Sequence, residues 1–94
     1  MKTLDEIMNA VTAVTGVTLE QIRSKDRKID NVRGLFYLIA YQEHHIQRAI
    51  AMYCHRARVS VCLVIKVHGG YFSTNDFATV RLYNNIIKEL YKND

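Results

Sequence analysis

The 94-residue sequence has no proline, only four glycines and two cysteines, and no internal repeat or low-complexity tract. Each shortage excludes something. No stretch approaches the roughly 18 consecutive apolar residues of a membrane span, so no membrane partner is expected. Asp5 and Glu6 stand where a secretory leader would carry its apolar stretch, so export is not expected and a cytoplasmic location follows by default. Cys54 and Cys62 then read as reduced thiols rather than a disulfide. An apolar content of 49% excludes a disordered tail, and a chain this short places its apolar side chains in one core. One domain over residues 1–94 is the expectation.

Groups for chemistry are equally sparse. His44, His45, Cys54 and His55 follow no standard zinc spacing, and there is no Cys-x-x-Cys. Cys54 and His55 are sequence neighbours, which on a helix point about 100° apart, so they form no nucleophile–base pair. Gly69-Gly70 lacks the Gly-x-x-x-x-Gly-Lys context of a phosphate loop. No metal, cofactor, nucleotide or enzymatic activity is expected. The tyrosines read as core-edge residues with their hydroxyls in water.

The positive charge is concentrated. Arg23, Lys25, Arg27, Lys28, Arg33, Arg48, Arg56, Arg58 and Lys66 face only Asp26, Asp30 and Glu43 in the same span, whereas the two ends carry more acids than bases. A central basic excess suits a polyanionic partner.

Along the chain, Leu4, Ile7, Val11 and Val14 recur at helical spacing, with Thr3 and Glu6 placed for a capping box and Gly16 for the stop. Thr18 caps a short helix, and residues 24–28 form a polar, basic connector. A long, central helix is predicted from about Asp30 to Gln42, carrying Val32, Leu35, Phe36, Leu38, Ile39 and Tyr41, with Gly34 admitting a close neighbour. A further helix over 43–53 turns Ile46, Ala49 and Ile50 inward. Val59 to Val67 favours a strand by propensity. No second strand exists to satisfy its backbone, so helix is the reading adopted. Gly69-Gly70 reads as a break. Residues 74–77 then open a last helix with Phe77, Val80, Leu82, Tyr83, Ile86, Ile87, Leu90 and Tyr91 on its apolar side. The fold class is all-α: a compact bundle of about six helices with a helix-turn-helix at its centre.

That motif occupies residues 50–61. Ala51 permits tight packing, a polar turn carries Arg56 and Arg58, and an apolar-periodic helix follows. In such motifs the first residues of the second helix reach base edges in the major groove, where arginine pairs with guanine. Arg56, Arg58, Val59 and Ser60 take that position.

These residues carry a resemblance. Ile7 to Ile22 (IMNAVTAVTGVTLEQI), Ser24-Lys25-Asp26-Arg27-Lys28, Val32-Arg33-Gly34, Ile50 to Val61 and the closing stretch from Asn75 to Leu90 together resemble the C-terminal, origin-binding domain of the bacterial chromosomal replication initiator DnaA, in a free-standing form. The residues 24–28 match that family's "SKsRk", and residues 50–61 fall on a short form of its "IAraLgRDHSTV". The resemblance implies a Trp-repressor-like arrangement and contact with double-stranded DNA through Lys25, Arg27, Lys28, Arg33, Arg56, Arg58, Val59 and Ser60.

The departures are specific. The family's Asp, His and first hydroxyl positions are Ala57, Arg58 and Val59, and its minor-groove arginine is Leu35. The family's site specificity does not carry over, and nothing here corresponds to its ATPase module. A second placement lays Ala49 to Tyr53 on the family's "qIAmY" and Ser60 to Gly70 on its "SLpeIGraFGG". It requires larger gaps and leaves only Asn75 to Val80, without basic residues, as the reading helix. Replication initiation or transcription regulation is the implied role. The alternative is a degenerate relative serving as a protein-interaction module or homodimer, favoured by the apolar Val59 and Leu63.

Overall fold

Thr3 begins the fold as its local chemistry requires. Its hydroxyl accepts the Glu6 N–H and the Glu6 carboxylate accepts the Thr3 N–H, both at 3.1 Å, so α1 (Leu4–Thr15) starts from a closed capping box. Gly16 stops it at φ 77 with its N–H bonded to the Thr12 carbonyl. No atom lies within 4 Å of where a Cβ on Gly16 would stand, so only backbone strain opposes a side chain there. Gly16→Ala is expected to lower the unfolding free energy by about 1 kcal/mol, measured by thermal or urea denaturation.

The chain is described from a computed structural model that covers residues 2–73 and 77–92, with side chains at 2–66 and 77–92. Among these residues there are six α-helices and no strand: α1, α2 (Leu19–Arg23), α3 (Asp30–Gln42), α4 (Gln47–Tyr53), α5 (Arg58–Ser73) and α6 (Phe77–Leu90), with a 3-10 turn at Arg27–Ile29 between α2 and α3. Thr18 caps α2 with a second box, reciprocated by Gln21.

Helix α3 is the axis of the molecule. All eight residues from Arg33 to Ala40 are buried, because α1, α4 and α5 all pack against this helix. Phe36 stacks on Tyr53 of α4 at 5.8 Å, and the Tyr53 hydroxyl donates to Asp5 of α1 at 2.7 Å. Helices α1 and α6 close the bundle through Ile7, Val11, Ile86 and Leu90, all in one buried cluster.

Both ends of the α3–α4 and α4–α5 connections use the same device. His44 and His55 adopt left-handed φ values of 70 and 55. In each case the next residue returns its N–H five positions back, His45 to Ala40 at 3.1 Å and Arg56 to Ala51 at 2.9 Å. These are Schellman stops built on histidine rather than glycine.

Four local expectations are corrected. Gly69-Gly70 does not break the chain, since α5 runs through both to Ser73. Two glycines cost only about 1 kcal/mol each in a helix, and α5 packs against both α3 and α4. Ile46 is not inward: His44 ends α3 and leaves Ile46 as the cap of α4, 66% exposed. Phe77 is 82% exposed at the first turn of α6, and Tyr41 and Tyr91 are exposed as well. Tyr37, expected at the core edge, is fully buried. Residues 74–76, expected to open the last helix, lie outside the described residues.

The β-branched run 59–67 is helical. Val61 and Ile65, four apart, are buried in the core, and no strand exists among the described residues to pair with it.

Candidate nucleic-acid interface

Four backbone carbonyls of the α2–α3 connection converge on one guanidinium. Arg33, on the first turn of α3 and only 7% exposed, donates from Nε to Ile22 at 3.0 Å. Its Nη2 reaches the carbonyls of Gln21, Ser24 and Asp26 at 3.2, 3.0 and 3.2 Å. Its Nη1 pairs with Asp30. Arginine alone has the planar fork for this geometry. Arg33, expected to meet DNA, is therefore withdrawn from the surface: its donors are spent on shaping the connector.

Arg56 is corrected in the same sense. The Schellman stop at His55 swings it toward the connector, where its Nη2 donates to the Ser24 carbonyl. Its Nε is buried with no hydrogen-bond partner among the described residues. Arg23 completes the set, bonding from Nε to the Tyr53 carbonyl at 2.8 Å with its guanidinium over the Tyr53 ring. Three of the nine central cations thus face inward. They surround Tyr37 and Cys54. Burial pushes the Tyr37 hydroxyl up to about 12, against the pull of Arg33 and Arg56. Burial likewise raises the Cys54 thiol to about 12, against Arg23, Arg33 and Arg56. Cys54 and Cys62 are both free thiols, and Cys54 stays protonated at neutral pH, which is the wrong state for a nucleophile.

The inward arginines decide what remains outside. Ser24 is held to α3 by Arg33 and to the α4–α5 turn by Arg56, although Ser24 and Arg56 are 32 residues apart. The connector is stiffened further by Asp26, whose carboxylate accepts the Lys28 N–H at 2.9 Å, and by Ser24, whose hydroxyl donates to the Gln21 carbonyl at 2.6 Å. Lys25, Arg27 and Lys28 project from it exposed to solvent.

Past the turn that Arg56 ties to Ser24, α5 starts with Arg58, Val59 and Ser60, all exposed. Val59, Leu63 and Lys66 follow at spacings of four and three residues, on the face opposite the buried Val61 and Ile65. Val59 is 64% and Leu63 57% exposed. With Gln47, Arg58, Cys62 and Lys66 they line a groove of about 270 Å³ between α4 and α5. Lys66 belongs to the central cations read from the sequence but not to the expected DNA contacts. Its signal was the seven-residue step from Val59, two turns along the same face.

Among the described residues no three His, Cys, Asp or Glu side chains gather where they could hold a metal ion. No helix there is long and apolar enough to cross a membrane. No protein-family model, curated protein or solved structure matches the chain.

Proposed function

We propose that this protein binds double-stranded DNA as a helix-turn-helix domain of the replication-initiator C-terminal type, acting in the cytoplasm in replication initiation or transcription regulation. The observation that carries this reading is the bond from Arg56 to the Ser24 carbonyl. It ties the connector that carries the exposed Lys25, Arg27 and Lys28 to the turn leading into α5, whose first residues include the exposed Arg58 and Ser60. The loop supplies phosphate contacts and the helix meets base edges. The ligand set supporting this reading is Lys25, Arg27, Lys28, Arg58, Val59 and Ser60, with Arg33 and Arg56 holding them in place.

The test is a salt titration of binding to random-sequence duplex, read by fluorescence anisotropy. The logarithm of affinity is expected to fall with the logarithm of salt concentration by several units, and Arg27→Ala or Arg58→Ala to reduce that slope by about one each. A flat salt response would remove the reading.

A second reading rests on one observation: Val59 and Leu63 expose apolar surface on the same face. On it, the fold serves as a protein-interaction module. Size-exclusion chromatography with and without Leu63→Ser tests for self-association through that ridge.

A further inference from the structure

Over its described side chains, residues 58–66, the outward face of α5 is poor in hydrogen-bonding groups where a major-groove helix would meet bases. Its middle is the pair Val59 and Leu63, four residues apart and both more than half exposed, so they form one apolar ridge. Among the described side chains of α5, the polar groups on this face stand around the ridge: Arg58 and Ser60 at its start, Lys66 one turn beyond Leu63.

The charged rim limits what can cover this ridge. A second copy apposed through the same face would bring Arg58 and Lys66 against their own equivalents, with no acid among the residues lining the groove to offset them. A polyanion is favoured instead. Within duplex DNA the ridge is selective, because neither side chain donates or accepts a hydrogen bond. Packed on a G·C pair, it would strand the polar O6, N7 and N4 groups without water or partner. Against an A·T pair it meets the one apolar group that the major groove presents, the thymine 5-methyl.

We infer, on the basis of the DNA-binding reading above, that Val59 and Leu63 recognise thymine 5-methyl groups in the major groove. The protein then prefers duplexes carrying pyrimidine 5-methyl groups over duplexes of the same charge lacking them. The preference is set by shape and desolvation, with Arg58, Lys66 and the connector cations supplying affinity independent of sequence.

The experiment compares four duplexes of equal length at one salt concentration: alternating dA-dT, alternating dA-dU, alternating dG-dC, and alternating dG with 5-methyl-dC. Uracil differs from thymine only by the methyl group, and methylcytosine adds that group to an otherwise disfavoured duplex. Wild-type protein should bind the thymine duplex tighter than the uracil duplex by about fourfold per methyl group buried. Methylation should strengthen binding to the dG-dC duplex. The Val59→Ser, Leu63→Ser double variant should bind all of them alike while keeping the wild-type salt slope. Both side chains lie on the surface, so the double variant keeps its fold, which helical circular dichroism verifies. Equal wild-type affinity for thymine and uracil duplexes, with a steep salt slope, overturns the methyl inference and leaves DNA binding standing. No salt-dependent binding to any duplex overturns both. A dimer that Leu63→Ser dissociates, in protein that ignores DNA, assigns the ridge to a protein interface and overturns the inference as well.

Discussion

Replacing Arg33 with alanine is expected to lower the unfolding free energy by about 2–3 kcal/mol. That is a large part of the roughly 5–15 kcal/mol that holds a small domain together. The loss has two sources. The carbonyls of Gln21, Ile22, Ser24 and Asp26 lose their shared donor, and an unsatisfied buried acceptor costs about 1–3 kcal/mol unless water reaches it. The connector also loses its anchor on α3, so the 3-10 turn at Arg27–Ile29 has less to hold it. Arg33→Lys should recover only a minor part, because an ammonium retains the charge but cannot reach carbonyls on both sides of a planar fork. Urea denaturation of the three proteins reads the result. A loss below about 1 kcal/mol for Arg33→Ala would mean that water replaces the guanidinium and that the connector shapes itself. Arg27→Ala is the internal control. Its side chain is exposed, and a surface change of that kind moves stability by no more than about 0.5 kcal/mol.

Reversing the three loop charges together (Lys25→Glu, Arg27→Glu, Lys28→Glu) should abolish most DNA affinity while leaving the fold intact. Each phosphate contact contributes a salt slope of about 0.9, so three contacts are worth about a thousandfold near 0.1 M salt. The new carboxylates add repulsion to that loss. The loop's shape should survive, since it depends on the Asp26 side chain, the Ser24 hydroxyl and the two inward arginines, none of which changes. Anisotropy across a salt series measures the affinity, and a melting curve checks the fold. Affinity within threefold of wild type would place any DNA contact elsewhere on the molecule, and with it the proposed role of this loop would fall.

The two variants are complementary, because the basic residues they change do different things. Arg33 and Arg56 occupy positions where the resemblance implied DNA contact, yet both are turned to the connector. Leu35, at the position of the family's minor-groove arginine, is fully buried. The central cations are therefore divided. Arg33 and Arg56 hold the loop in shape, and Lys25, Arg27 and Lys28 face solvent. Stability separates the first group and salt dependence the second.

Much of the helical layout was legible in the residues themselves. Thr3 with Glu6, Thr18 with the turn after it, and Gly16 at a left-handed stop are interactions within four positions, and the boundaries of α3 follow from apolar periodicity over a single helix. The helical state of α5 came from an argument by elimination, a lone strand having no partner. Locally weak signals misled. Gly69-Gly70 resembles a stop, and Ile46 and Phe77 resemble core residues, because propensity weighs a residue's type and not the neighbours that reach it.

What the tertiary structure alone decided is the direction of each arginine. Nothing in the run from Arg23 to Arg58 marks Arg23, Arg33 and Arg56 as inward and Lys25, Arg27, Lys28 and Arg58 as outward. Capping and periodicity act over one turn of helix, so they are written in adjacent residues. A guanidinium turns inward only where several carbonyls meet it, and those acceptors lie 7 to 12 positions from Arg33 and 30 or 32 positions from Arg23 and Arg56. Their convergence exists only after α2, the connector and the α4–α5 turn have packed around α3.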